Sequence, residues 1–272
     1  MITSLRNPHV LALRALLRPR ERARQGRLVV TGLRLIDAAL RYGAHVEEVL
    51  VVPGVSGLGG LRDRAAAAGA AVVSVSERVI RALADVQTPQ PVAAVVRTPP
   101  PVALDSLTWS RLVVADGLQD PGNLGSLIRT AHAAGFDALA LTEGTADPFN
   151  PKAVRASAGS CFALPIVRTE PDALPRDAHL WVADAKGEED YRRVRFRLPL
   201  VFVFGSEGRG PAHTWARARR VRIPIRPGSE SLNVTAAAAV LLFTATDVDA
   251  RGAGVYGPED RLLYYGHRLD RS

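Results

Sequence analysis

Four short runs in the second half of the chain, at 112–115 (LVVA), 138–141 (ALAL), 180–183 (LWVA) and 200–204 (LVFVF), are apolar at every position. A strand with one face in water alternates polar and apolar residues with a period of two. A strand without that alternation needs cover on both faces, which a parallel sheet sandwiched between helices provides. A fifth run at 221–225 is apolar apart from Arg222, and helical stretches separate the runs. The second half therefore reads as an α/β layer structure built on a parallel sheet.

The first third repeats the strand–helix alternation on a smaller scale. Strands are expected over 27–30, 49–52, 72–75 and 92–96, with helices over 8–24, 33–41, 61–69 and 77–83. Residues 97–107, RTPPPVALDSL, hold three consecutive prolines, which favour a stiff extended segment. This gives a smaller unit over 1–100, a linker over 101–107 and a larger unit over 108–272.

Lysine and arginine outnumber aspartate and glutamate by 35 to 27, for a net charge of +8, and Lys152 and Lys186 are the only lysines. A GC-rich genome accounts for arginine over lysine but not for the excess of base over acid. Arginine suits bidentate contact with phosphate, so a nucleic acid is the first partner to consider. Arg6, Arg14, Arg18, Arg20, Arg22, Arg24 and Arg27 crowd into the first 27 residues. Two readings of that cluster are open, a solvated helix face or a face that meets RNA phosphates in a salt-dependent way. Cys161 is the only cysteine, which leaves neither a disulfide framework nor a thiolate metal cluster. The N-terminus lacks the uncharged core of a signal peptide, and no apolar run reaches the ~18 residues of a bilayer span. The expectation is a cytoplasmic protein with no membrane partner and no metal.

Three stretches carry more turn chemistry than a scaffold needs. In DGLQDPGNLGSLIRT (116–130) a buried strand ends in glycine, proline and aspartate, with Asn123 placed to cap the following helix. Leu124, Leu127, Ile128, Ala131 and Ala134 fall on one face of that helix, leaving Ser126 and Arg129 opposite. Arg129 thus stands clear of the core at the carboxyl end of a strand, where open α/β sheets bind ligands. In LVFVFGSEGRG (200–210) a strand stops at Gly205, and Gly208 and Gly210 follow. The stretch is neither a P-loop nor a GxGxxG fingerprint, which removes the basis for a nucleotide-dependent oxidoreductase. In RIPIRPGSESLNVTAAAAVLLF (222–243) Ser231 is a candidate cap for a helix apolar on every side, with polar Asn233 at its mouth.

Together and in this order, these stretches resemble the motifs of the SpoU (TrmH) family of RNA ribose 2′-O-methyltransferases, in the SPOUT superfamily. Asp120-Pro121-Gly122-Asn123-Leu124-Gly125 with Arg129-Thr130-Ala131 resembles the first motif. Gly205-Ser206-Glu207-Gly208-Arg209-Gly210 resembles the second, and Ser231-Leu232-Asn233-Val234 the third. The stretch 151–159, PKAVRASAG, resembles the family's intervening helix, and the likeness spans roughly 108–248. SLRNPHV (4–10), followed by 28–32 and Leu35-Ile36, resembles more loosely the ribosomal-protein-like substrate-binding domain of ribosomal-RNA members. Pro211 and Thr235 depart from the usual apolar residue and serine.

The resemblance implies a fold that strand and helix patterns alone would not give. The larger domain would be a SPOUT-type α/β domain with a deep C-terminal trefoil knot, whereas pattern alone suggests an open doubly wound sheet, true knots being nearly absent from proteins. It also implies S-adenosylmethionine (AdoMet) as cofactor, a homodimer with the site near the subunit interface, and structured RNA as substrate. By resemblance, Arg129 assists loss of the 2′-hydroxyl proton, and Asn123, Glu207, Ser231 and Asn233 complete the catalytic wall. Gly205, Ile223, Leu232 and Ser231 would meet the cofactor, with Thr142 and Glu143 at a strand end beside them. Arg6, Arg14, Arg18 and Arg20, with Lys152 and Arg155 on the intervening helix, would meet RNA. The smaller domain favours 23S ribosomal RNA over transfer RNA. A catalytically silent RNA-binding or ribosome-assembly factor is the alternative, and housekeeping and antibiotic-resistance enzymes share these motifs.

Overall fold

In a computed structural model, which describes residues 1–206, 208 and 210–250, the chain forms two α/β units. The first contains α1 (Pro8–Ala15), α2 (Pro19–Gln25), β1 (Arg27–Thr31), α3 (Leu33–Arg41), β2 (Val46–Val51), α4 (Gly59–Ala67), β3 (Ala71–Ser74), α5 (Glu77–Leu83) and β4 (Val92–Arg97). Its sheet runs β1-β4-β2-β3, with β4 antiparallel to β1 and β2, and β3 parallel to β2. The single helix expected over 8–24 is in fact two. Pro19 lacks an N–H and disfavours helix at the residue before it, so α1 stops and α2 restarts with Pro19 in its first turn.

The second unit contains β5 (Arg111–Asp116), α6 (Pro121–Ala133), β6 (Ala138–Leu141), α7 (Pro151–Ala156), β7 (Ile166–Arg168), β8 (His179–Ala183), β9 (Glu189–Asp190), β10 (Leu200–Gly205), β11 (Arg219–Arg222) and α8 (Val234–Ala250). Among the described residues its sheet has seven strands in the order β7-β6-β5-β10-β8-β11-β9, and every pairing is parallel. Every residue of β5, β6 and β10 is buried, as the unbroken apolar runs require. Val113 and Phe202 face Leu127 of α6 and Leu241 of α8, while Leu112 and Val201 face Leu174 and Trp215 on the other side.

The strand expected at 221–225 lies at Arg219–Arg222 instead. Pro224 has no N–H to donate to a ladder, which ends pairing early. The short β7 and β9 gave too little periodicity to be anticipated. The helix at the C-terminal end, expected to be largely buried, is fully buried along Val234, Ala238, Leu241, Leu242 and Ala245 among the described side chains. Ala236 is exposed, and Val240 and Phe243 are half-buried.

α6 and α7 approach closely because Gly125 carries no side chain; a Cβ there would lie 2.2 Å from the Ala153 carbonyl oxygen. The two units are also pinned together. Arg22, 2 % exposed, donates to Asp147 at 2.6 Å and to the Leu17 carbonyl at 2.9 Å. Arg155 of α7 pairs with Asp85 of the first unit, Tyr42 meets the edge of His132, and Leu28 and Ile36 share an apolar core with Leu127 and Phe162.

Among the described residues no helix is long and apolar enough to cross a membrane, and no group of His, Cys, Asp and Glu could hold a metal ion.

Candidate functional site

The ends of β5, β10 and β11 bring the three motif stretches together. The Asp120 side chain, not that of Asn123, caps α6, accepting from the Asn123 N–H at 2.8 Å with Pro121 as the first helical residue. The Asn123 side chain turns elsewhere, and its Oδ1 accepts from Asn233 Nδ2 at 3.3 Å. Asn233 in turn, not Ser231, caps α8, accepting from the Thr235 N–H at 2.9 Å. The apolar stripe of α8 begins at Val234, so its cap falls on the residue before. This Asn123–Asn233 contact, across the starts of two helices, joins the first and third motifs.

A cavity of about 490 Å³ opens between the ends of β8, β10 and β11 and the start of α8. Gly205, Ser206, His213, Ile223, Ser231 and Leu232 are among its lining residues. Ile223 and Leu232 supply apolar walls, and Ser231 and His213 supply polar ones. Immediately after Gly205 the chain closes on itself, with reciprocal Ser206 and Gly210 backbone hydrogen bonds of 2.9 Å each. A Cβ on Gly205 would lie 2.1 Å from the backbone carbon of Gly210 and the nitrogen of Pro211. Glycine is therefore what lets the loop fold back over the strand end and form the cavity wall. The size, the mostly apolar lining and the few convergent polar groups suit a nucleoside-sized ligand.

Below the cavity lies a polar cluster that motif reading missed. Asp116, the last residue of β5, is fully buried. Its Oδ1 accepts from Thr142 Oγ1 and His213 Nδ1, each at 2.6 Å, and its Oδ2 accepts from Trp215 Nε1 at 2.7 Å and the His213 N–H at 3.0 Å. Burial pushes the Asp116 carboxyl up, but the bonds from Thr142, Trp215 and His213 outweigh it and hold it below the ordinary value. Hydrogen bonding to Asp116 raises the His213 pKa against the effect of burial. The available signal was an aspartate ending an otherwise apolar strand, since a buried carboxylate needs donors from elsewhere in the chain.

Asp116→Asn should cost about 2–3 kcal/mol, because the amide group would face donors that cannot turn away, and thermal denaturation measures it. The sign against pH follows from the two shifts. The depressed Asp116 contributes fully above its unfolded value and loses that contribution as pH falls through the folded one. The raised His213 contributes fully below an unfolded value of about 6.5 and loses it as pH rises through the folded one. The gap between wild type and Asp116→Asn should therefore be widest at roughly pH 4–6.5. A gap that kept widening above pH 7 would contradict the assignment.

Of the residues singled out from sequence, Gly205, Ile223, Leu232 and Ser231 line the cavity together. Asn123 and Asn233 meet beside it, flanked by Leu232 and Val234 of its wall. Thr142 and Glu143 do not line it: Thr142 is buried against Asp116, and Glu143 is exposed. Arg129 is exposed on α6, pairs with no carboxylate among the described residues, and is not part of the cavity wall. Glu207 lies outside the described residues. Arg6, Arg14, Arg18 and Arg20 are exposed, and their side chains pair with no described residue. Lys152 and Arg155 are already engaged, Lys152 with Asp120 at 2.6 Å and Arg155 with Asp85.

Comparison with known proteins adds three results. The SpoU rRNA Methylase family matches residues 110–243, and the MRM3-like substrate binding domain matches residues 7–94. The 23S rRNA (guanosine(2553)-2′-O)-methyltransferase RlmP of Bacillus subtilis is 32% identical over 257 residues, covering 89% of this chain and 97% of the relative. Among solved structures, an AdoMet-bound rRNA methyltransferase from Sinorhizobium meliloti superposes with a TM-score of 0.80 at 31% identity, over 91% of this chain and 97% of that one. The AdoMet complex of the SpoU methyltransferase AviRb from Streptomyces viridochromogenes gives a TM-score of 0.81 at 29% identity, over 91% and 100%. With a cavity lined by its second and third motifs, the first meeting the third beside it, and relatives matched over almost their whole length, the chain belongs to the SpoU rRNA methylase family.

Proposed function

We propose that this protein transfers a methyl group from AdoMet to a ribose 2′-hydroxyl of 23S ribosomal RNA. The observation that carries the reading is the cavity walled where Ser206 and Gly210 pair beyond Gly205, with the Asn123–Asn233 contact beside it. Gly205 would meet the cofactor through its backbone, Ile223 and Leu232 through apolar contact, and Ser231 through its hydroxyl. When bound, AdoMet supplies an electrophilic methyl group on a sulfonium.

The chain's own residues have two tasks, to position the sugar and to stabilise the oxygen as it loses its proton. Correct placement of two reactants is worth about 7–11 kcal/mol. The Asn123–Asn233 pair fixes two amide groups where the ribose would enter. Arg129, always charged, would stabilise the developing alkoxide rather than act as a free base. Glu207 belongs to this reading as a brace for the Arg129 guanidinium.

Residues 1–100 serve in this reading as the RNA-holding domain, 101–107 as linker and 108–272 as the catalytic domain, with the cytoplasm as the place of action. Arg6, Arg14, Arg18 and Arg20 are the phosphate contacts of the first domain. Lys152 and Arg155 act first as braces, because their charges are taken up by Asp120 and Asp85. A homodimer is supported by the apolar residues that α8 leaves uncovered beside α6. The trefoil crossing is supported by the central place of β10 and the tight return of the chain after Gly205.

Incubation with AdoMet and an unmodified 23S rRNA transcript tests the activity. Primer extension at low dNTP should show one new stop that depends on both enzyme and AdoMet. A stop only on transfer RNA would move the substrate. Thermal stabilisation by AdoMet with no stop on either RNA would leave a silent RNA-binding factor.

A further inference from the structure

The connection from β9 to β10 is not the helix that a parallel crossover usually carries. After one tight turn at Tyr191–Arg193 it runs extended through residues 194–197 to the amino end of β10. Its side chains alternate. Val194 packs on the core, and Phe196, 7% exposed, meets Trp181 and Phe202 edge-on at centroid distances of 5.6 and 4.9 Å. Arg193, Arg195 and Arg197 take the intervening positions and are all exposed. The buried residues thus anchor the segment and leave Arg193, at the end of the turn, and Arg195 and Arg197, along the segment, exposed, the last two about 6–7 Å apart along the backbone.

Three of the carboxylates near this ladder are engaged by other arginines, although Asp190 also feels the charge of Arg193. Asp190 is held by Arg192 through contacts of 3.0 and 2.6 Å, Glu189 by Arg219 and Asp184 by Arg220. None of Arg193, Arg195 and Arg197 forms an ion pair with a described residue. The ladder also starts at the cavity. It leaves β9, which is hydrogen-bonded to β11, and β11 walls the cavity through Arg220 and Val221.

We infer that Arg193, Arg195 and Arg197 form a second RNA-binding track, on the catalytic domain, which meets successive phosphates of the strand leading away from the target ribose. The inference rests on the RNA substrate proposed above and adds a contact surface separate from the arginines of the first domain. Three exposed like charges within five residues of an anchored segment fit a polyanion with regular charges. Such contacts position the strand without reading its sequence.

The test is binding of the full-length R193A/R195A/R197A variant to an unmodified 23S rRNA transcript and to poly(U), across a range of salt concentrations. Loss of three phosphate contacts should weaken both complexes by about 10-fold or more near 0.1 M salt and reduce the salt slope by about 2–3. AdoMet affinity, and kcat at saturating RNA, should stay within about two-fold, since the ladder touches neither cofactor nor ribose. Unchanged affinity and slope on both RNAs overturn the inference, as expected if the ladder serves an acidic protein instead. Should the alanine variant also lose AdoMet binding, R193K/R195K/R197K decides. A near-wild-type slope supports the track, and a slope as low as the alanine variant's overturns it. Failure of the wild type to methylate any RNA would refute the proposed function and leave this binding comparison standing.

Discussion

Arg129→Ala is expected to lower kcat by about 10²–10³-fold, the usual consequence of removing one donor that stabilises a developing oxyanion. AdoMet affinity should change little, because Arg129 is not part of the cavity wall. Stability should change little as well: the side chain is exposed and pairs with no described residue, and surface changes of that kind stay within about 0.5 kcal/mol. This combination, a collapse in turnover with binding and fold intact, marks a group that acts on the transition state. Arg129→Lys separates charge from shape, since lysine keeps the charge but loses the planar fork. We expect at least a ten-fold loss for it too. Turnover of Arg129→Lys within about three-fold of wild type, measured with saturating RNA, would refute a specific guanidinium role.

Gly205→Ala should be the most damaging single methyl group in the catalytic domain. Its Cβ would lie 2.1 Å from two backbone atoms of the returning loop, and backbone cannot rotate out of the way as a side chain can. Either the loop keeps its course and the strand end is displaced, at a cost of about 4 kcal/mol or more, or the loop lifts and the cavity loses its wall. In both cases AdoMet affinity, read by calorimetry, should fall by more than about 100-fold. Gly208→Ala is the control, since a Cβ there meets nothing within 4 Å. Gly208 has φ +78°, so its alanine variant carries some strain but no collision. Comparable losses from both would point to general stiffness of the loop rather than to the collision at Gly205.

Much of this arrangement was legible in the residues because the strongest signals are local. Unbroken apolar runs at 112–115, 138–141 and 200–204 fixed the buried centre of the parallel sheet. Clustered glycine, proline and asparagine marked the loops that close the cavity. Helix caps were misread by a few residues because Asp120, Asn123, Ser231 and Asn233 are all competent caps. Only the first buried residue of each helix decides among them. The Asp116–His213–Trp215 cluster joins residues 97 and 99 positions apart, and no local pattern announces such a meeting. Lys152 and Arg155 looked available for RNA because Asp120 and Asp85 lie 32 and 70 residues away. The arginine ladder was visible as alternation, but its significance needed the knowledge that Phe196 points inward.

The clamp of Arg22 on Asp147, reinforced by Arg155 on Asp85, gives the molecule the character of a calliper. With the two units held by these ion pairs, the distance from the first unit to the cavity is fixed by the frame. In the proposed reading, a nucleotide would be selected by its distance and angle from the part of the RNA that the first domain holds. Loosening the frame by Asp147→Ala should therefore blunt the choice of nucleotide before it slows the chemistry.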